Sequence, residues 1–421
     1  MSERMRRRSF LAAATALSIA VAIGPMSGES HAQPAKTPVT LVIANSQWVD
    51  ALRGKNLWNA LLKYQEVAPH VTLKQEAIPS AEFDDKITTE MGAGLGPDIA
   101  MMQEKLFFAL ADAGFLVSLD KAVQGVKNLN KTNDNGMVDG ERLGVAWQRA
   151  VYALIYNKPL LDAANAKVPT TVDELIAAAK AASAATPGVI GFTSRHQIND
   201  FSGWFMDFQN WAYGYGVQWA DSKGKLTVNT PEAVEAVTAF KKAYASGIMP
   251  IGDSMPTQRT RFKEKRVAFS IDNSGGTLNI ASGGPLASAD LHAAPLPFKH
   301  PGAHQQIFVG VSTHSKNKDA ALAFVTWLVS PAGQQALREA SGPDMLATDV
   351  PVTEAFRAAN PWAMTFAELA VNSRSTLIPK HEVDTPQIMR AVMEAVERVM
   401  ISGVDPKVAL AETQKQLDAK F

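Results

Sequence analysis

The sequence predicts an α/β protein in which mostly parallel sheets are flanked by helices, and three observations point there. Strand and helix patterns alternate from the start of the mature region, which is the signature of parallel strands joined by helical crossovers. Helix-start signals recur through the rest of the chain. With 421 residues and 46% hydrophobic content, the chain can bury two medium-sized cores, so two compact lobes are expected.

The elements follow in order. Thr40 to Ala44 is a short apolar run containing β-branched residues, suited to a strand buried on both faces. Leu57, Leu61, Tyr64 and Ala68 recur at helical spacing, and Pro69 stops that helix. Val71 to Glu76 alternates as a strand. Ser80 offers an N-cap for a helix through Met91, and the Gly94 to Pro97 turn leads into a strand at Asp98 to Met101. Downstream, Thr171 to Glu174 reads as a capping box, while Thr230-Pro231, Ser330-Pro331 and Asp405-Pro406 place proline at a first helical position. Ala320, Phe324, Trp327 and Leu328 form one apolar stripe, and Ile388, Val392, Ala395 and Val399 form another. Short strands are expected at Leu154 to Tyr156 and Val267 to Ile271.

Lys plus Arg equal Asp plus Glu at 41 each, so no field of one sign draws the chain to nucleic acid or anionic lipid. The first 32 residues read as an export signal, with Arg4, Arg6, Arg7 and Arg8 ahead of an apolar run from Phe10 to Ile23. Arg7-Arg8-Ser9-Phe10-Leu11 resembles the twin-arginine motif, with an ordinary secretory signal as the alternative, and Ser30-His31-Ala32 suits cleavage near Ala32. A periplasmic protein is expected. The sequence contains no cysteine, which excludes a thiol nucleophile, a disulfide framework and a lipidated N-terminal Cys.

Several ordered segments carry a resemblance. They are Tyr64 to Leu73, Met91 to Ile99, Ala113 to Leu119, Leu154 to Lys158 followed by Val168 to Leu175, Phe262 to Phe269, Ser315 to Ala321 and Leu328 to Gln334. Together they resemble the family 1 extracellular solute-binding proteins of bacterial ABC importers, the maltose-binding-protein-like sugar binders, over nearly the whole mature chain. Departures stand at Glu264, where the family usually has Gly, and at Trp147, where Pro is common. The resemblance implies a two-lobed periplasmic-binding-protein fold of type II with three hinge crossings, near Ala150, Val311 and Val350. Lobe I would comprise residues 38–150 and 312–350, and lobe II residues 151–311 and 351–421. It further implies a monomer that closes on its solute and delivers it to the permease subunits of an importer.

A sugar needs amide, carboxylate or guanidinium partners for its hydroxyls and an aromatic face for its C–H surface. Asn45, Gln47 and Trp48 follow the first strand, where a parallel sheet delivers side chains to its ligand edge; Trp48 serves equally well as a cap over the first helix. Gln103 follows the third strand. Gln148 and Arg149 stand beside the first crossing. Arg195 lies in a loop of the second lobe, with an exposed charged loop as the alternative reading, and Trp204 is the tryptophan expected to stack. Asn273, Ser274 and Gly275 follow the strand ending at Ile271, a position that also suits a helix N-cap. Arg374 is placed over the solute from the last third of the chain.

No nucleophile-elbow, zincin, phosphate-loop or zinc-finger spacing occurs, so no enzyme, metal or cofactor is expected. Two alternatives stay open. The same fold would take a polyamine or, given Arg149, Arg195 and Arg374, a glycerol phosphodiester or another anionic solute. A carboxylate pair would make a secreted carbohydrate-active enzyme, because such a pair leaves no sequence signature.

Overall fold

The computed structural model describes residues 37–421; the expected export segment lies outside them. Among the described residues eleven strands are present: β1 (Val39–Asn45), β2 (Val71–Ala77), β3 (Ile99–Gln103), β4 (Met137–Val138), β5 (Glu141–Arg142), β6 (Val145–Asn157), β7 (Ile190–Thr193), β8 (Val267–Asn273), β9 (Leu291–Ala294), β10 (Ala303–Val311) and β11 (Arg374–Ser375). Nine of them form one sheet in the order β2-β1-β3-β10-β6-β8-β7, with β11 beside β10 and β9 beside β6. Strands belonging to one lobe run parallel, β1 with β2 and β3, and β7 with β8. Antiparallel pairs in this sheet all involve β6 or β10, the long strands that pass between lobes.

Two-sided burial explains why β1 and β8 read as apolar runs: helices cover each lobe's sheet on both faces. In lobe I, Leu41, Ile43 and Leu57 pack with Phe324 and Leu337 on one face, and Ala44, Phe83, Ile87 and Phe107 pack on the other. In lobe II, Leu154, Phe192, Phe240 and Val392 form one core and Val151, Phe262, Trp362 and Phe366 the other. Both expected apolar stripes face these cores, though Trp327 keeps one edge in solvent.

Helix caps follow local chemistry. The side chains of Thr171, Thr230, Ser330 and Asp405 each accept a hydrogen bond from the first turn they precede. Ser80 departs from expectation: it is the first residue of the helix Ser80–Gly92, the cap position belongs to Pro79, and no side chain caps it.

The crossings lie where side chains change cores. On β6, Ala146 and Trp147 pack in lobe I, and Val151 packs in lobe II. On β10, Ala303 packs in lobe II, whereas Val309 and Val311 pack in lobe I. Residues from Ile307 to Val311 of β10 pair with β3. The chain crosses again after Leu346 and Ala347, which pack in lobe I, before Phe356 meets Trp362 in lobe II.

Candidate functional site

Polar side chains gather where β1, β3 and β8 end and where β6 and β10 cross. Asn45, almost fully buried, accepts the backbone N–H of Gln47 at 2.9 Å, which holds a short 3-10 turn, Ser46–Val49, after the strand. Gln47 then donates to Gln148 Oε1 at 2.9 Å and accepts from Trp147 Nε1 at 2.8 Å. Gln148 donates to Ser341 at 2.8 Å. Arg53, on the first turn of the next helix, donates to Gln148 at 3.2 Å and reaches Asp344 at 3.4 Å.

From lobe II, Asn273 caps the helix Ser274–Ala281 by accepting from Gly276 N–H at 2.8 Å, and its amide donates to Gln305 at 3.2 Å. Ser274 donates to Asp344. Gly275 lets the Arg53 guanidinium come close: a Cβ there would stand 2.6 Å from one of its nitrogens, and Arg53 would have to move. Two bidentate ion pairs complete this wall, Arg259 on Asp272 at 2.8 and 2.7 Å and Arg195 on Asp207 at 2.8 and 2.9 Å.

Between the lobes, the crossover strands form the floor. Gln305 donates to the Tyr152 hydroxyl at 2.7 Å, and Arg149 donates to Gln306 at 2.8 Å. A narrow crevice open to solvent adjoins them, lined among others by Gln103, Glu104, Phe205, Met206, Gln305 and Gln306. Glu104 accepts from Ser375 of lobe II at 2.8 Å and from Asn135 at 3.2 Å. Burial pushes its carboxyl up to about 7, against the pull of those two donors and of Arg149. Burial likewise raises Asp344 and Asp207, each opposed by its arginine partner.

The structure thus brings Asn45, Gln47, Gln148 and Ser274 into one network with Gly275 against Arg53, and places Gln103 on the adjoining crevice, with Arg149 and Asn273 hydrogen-bonded to its lining residues Gln306 and Gln305. Arg195 lies on the lobe II wall, its guanidinium held by Asp207. Three expectations are corrected. Trp48 lies in the lobe I core, its indole N–H donated to the Ile43 carbonyl at 3.1 Å and its ring set edgewise against Trp58 and Trp147. Trp204 is fully buried in lobe II beside Phe240, so no face is left for a solute. Large flat apolar rings gain more from a dry core than from a wet edge. Arg374 is engaged within lobe II, over the Tyr213 ring at 3.9 Å and donating to Val217 and Gln218.

Sequence reasoning passed over Arg53, Asp207, Arg259, Gln305, Gln306 and Asp344. The adjacent Gln305 and Gln306, ahead of the apolar run Ile307 to Val311, were a readable signal of a strand leaving one core for another. Arg53 and Asp344 carry none, because they meet across 291 residues of chain; Asp207 and Arg259 lie only 12 and 13 residues from Arg195 and Asp272, separations that match no local helix or strand pattern. Among the described residues, no group of three or more His, Asp or Glu is arranged to hold a metal ion.

Comparisons with known proteins agree with this architecture. Residues 51–335 match the model of the family described as bacterial extracellular solute-binding protein. The polygalacturonan/rhamnogalacturonan-binding protein YtcQ of Bacillus subtilis (strain 168) is 24% identical over 253 residues, 53% of this chain and 50% of that protein. The chain spans about half the length of the curated relatives it matches. The GacH receptor of Streptomyces glaucescens GLA.O, solved unliganded and with acarbose, is similar with a TM-score of 0.77 at 22% identity, over 91% of this chain and 98% of that one. Maltose-bound MalE3 of T. maritima has a TM-score of 0.79 at 20% identity, over 91% and 100%. At such identities the structural likeness speaks for the fold, and the family match covers well over half of the sequence. The chain belongs to the bacterial extracellular solute-binding protein family.

Proposed function

We propose that this protein captures a carbohydrate between its lobes and hands it unchanged to the permease subunits of an ABC importer. One observation carries the reading: three arginines beside the crossover strands are matched by carboxylates, Arg53 with Asp344, Arg195 with Asp207 and Arg259 with Asp272, and Arg149 lies in the field of Glu104. The three ion pairs, interleaved with the amides of Gln47, Gln148, Asn273 and Gln305, supply many donors and acceptors while cancelling one another's charge. A neutral polyhydroxylated molecule needs that combination, whereas an anion needs arginines left unpaired. The solved relatives hold acarbose and maltose, and the curated relative is named for pectic polysaccharides.

In this reading lobe I comprises residues 38–150 with 312–350, extended back to Ile307 by the pairing of β10 with β3, and lobe II comprises the remainder from 151 onward. Solute contacts are proposed for Gln47, Gln103, Gln148, Arg149, Arg195, Asn273, Ser274 and Gly275, with Asn45 positioning Gln47. Export through residues 1–32, by the twin-arginine route with cleavage near Ala32, places a monomer in the periplasm. No reaction is proposed on the solute, since Glu104, Asp207, Asp272 and Asp344 are each held by a partner.

A thermal-shift and calorimetric screen of the mature protein tests this against neutral sugars and polyols, uronates and glycerophosphodiesters. A neutral sugar at a hundredfold excess over its Kd should stabilise the fold by about 2.7 kcal/mol and be recovered intact. Binding confined to the phosphodiesters would replace the cargo, and recovery of a cleaved sugar would make the protein an enzyme.

A further inference from the structure

We infer that the solute-binding surface extends into a groove beside the Arg53 contacts, where Phe356 supplies an aromatic ring and Arg53, Asn56 and Glu339 supply polar partners for a neutral carbohydrate. This rests on the carbohydrate reading above and adds to it a part of the site that lies away from the crossover floor.

Free space between the lobes is unevenly divided. The crevice beside β6 and β10 has room for about one water. A second cavity, of about 240 Å³, lies where Arg53 and Asn56 of the helix Arg53–Leu62 and Glu339 of the helix Pro331–Ser341 face Leu278, Phe356 and Asn360 of lobe II. It adjoins the contact in which Asp50 accepts from Asn279 of lobe II. Because both lobes form its walls, a solute seated there gains its full set of contacts in the closed form, which is the differential binding that closure requires.

The side chains suit a sugar. Arg53 joins the groove to the polar network: its Nη2 donates to Gln148 at 3.2 Å and reaches Asp344 at 3.4 Å. Its Nη1, like the side chain of Asn56, has no hydrogen-bond partner among the described residues. Glu339 stands 3.4 Å from Lys63 with both side chains largely exposed, a pairing that holds the carboxylate weakly and leaves it able to accept from hydroxyls. On the opposite wall, Asn360 donates to the Phe356 carbonyl at 2.8 Å and accepts from Ser288 at 2.6 Å, which fixes the end of the helix Glu354–Ala359. Phe356 is half-buried, edgewise against Trp362 with ring centroids 5.9 Å apart. One guanidinium, one carboxylate and an amide offer donors and acceptors of opposing charge, and the ring offers an apolar surface to sugar C–H groups. With Trp48 and Trp204 inside the cores, Phe356 takes the stacking role that neither tryptophan can serve.

Isothermal calorimetry on the mature protein with glucose, galactose, maltose, maltotriose, mannitol and ribitol identifies the tightest binder, which is then titrated into two variants. Phe356→Leu keeps apolar bulk beside Trp362 but loses the ring, and should weaken that compound by about threefold to tenfold. Asn56→Ala, on an exposed helix face, should weaken it by about threefold to tenfold as well, with an unchanged melting curve. Wild-type affinity in both variants overturns the groove's part in binding while leaving carbohydrate capture standing. A loss confined to Asn56→Ala overturns the stacking role of Phe356, and a loss confined to Phe356→Leu overturns the contact with Asn56. If none of the six compounds binds wild type, the carbohydrate reading itself fails, and the groove with it.

Discussion

A carboxyl enclosed as Glu104 is, between Ser375, Asn135 and the field of Arg149, makes the closed protein sensitive to protons. Its pKa is raised from 4.5 to about 7, chiefly by burial. A raised acid favours its neutral form in the fold, so its stabilising contribution is complete below about 4.5 and is lost as pH rises through about 7. The shift corresponds to about 3 kcal/mol at most. Glu104→Gln keeps the size and an acceptor but cannot ionise. It should therefore exceed wild type in stability by about 1–3 kcal/mol above pH 7.5 and differ little near pH 5. Buried neutral His304, whose pKa is pushed well down by desolvation, acts in the opposite direction but is common to both proteins. Parallel urea-midpoint profiles for the two proteins would show that Glu104 does not titrate in this window. At the same scale, Trp48→Ala and Trp204→Ala should each cost about 3–5 kcal/mol of stability and leave the affinity of the folded fraction unchanged. Lost affinity at undiminished stability would return either ring to the cleft.

Among the elements, the helix Ser274–Ala281 joins folding to binding. Asn273 caps it with its side-chain oxygen and reaches Gln305 with its side-chain nitrogen. Replacing Asn273 by Ala should cost about 1 kcal/mol for the cap and weaken solute binding as well. Asn273→Asp preserves the capping oxygen and loses the amide donor, so stability should stay near wild type while affinity falls. Equal affinity for the Asp variant would place the Gln305 contact outside the binding machinery. β6 and β10 are the other decisive elements, because each contributes to both cores and supplies the floor in between. Glutamines and an arginine interrupt otherwise apolar strands there, where neither core is available to cover them.

For the whole molecule, closure is the property that binding energy must drive. The Arg53 guanidinium of lobe I lies against Gly275, where a Cβ would stand 2.6 Å from it. Gly275→Val should displace Arg53 from Asp344 and disfavour the closed arrangement without disturbing either core. Small-angle scattering should show wild type contracting on addition of its solute and the variant keeping the larger radius of gyration. A variant that contracts normally would remove Arg53 from the closure mechanism.

What the sequence determined by itself was local or periodic: the strand and helix order, the caps at Thr171, Thr230, Ser330 and Asp405, the core-facing stripes, and the ordered segments that resemble the family. These depend on neighbours within a few residues, where propensity, spacing and capping act. Only the tertiary structure decided which polar and aromatic residues meet. Arg53 finds Asp344, and Glu104 finds Ser375, across hundreds of residues of chain. Trp204 looked like a platform because an aromatic in a candidate loop and one in a core read alike in sequence. Burial is a sum over long-range neighbours, and no spacing along the chain encodes it.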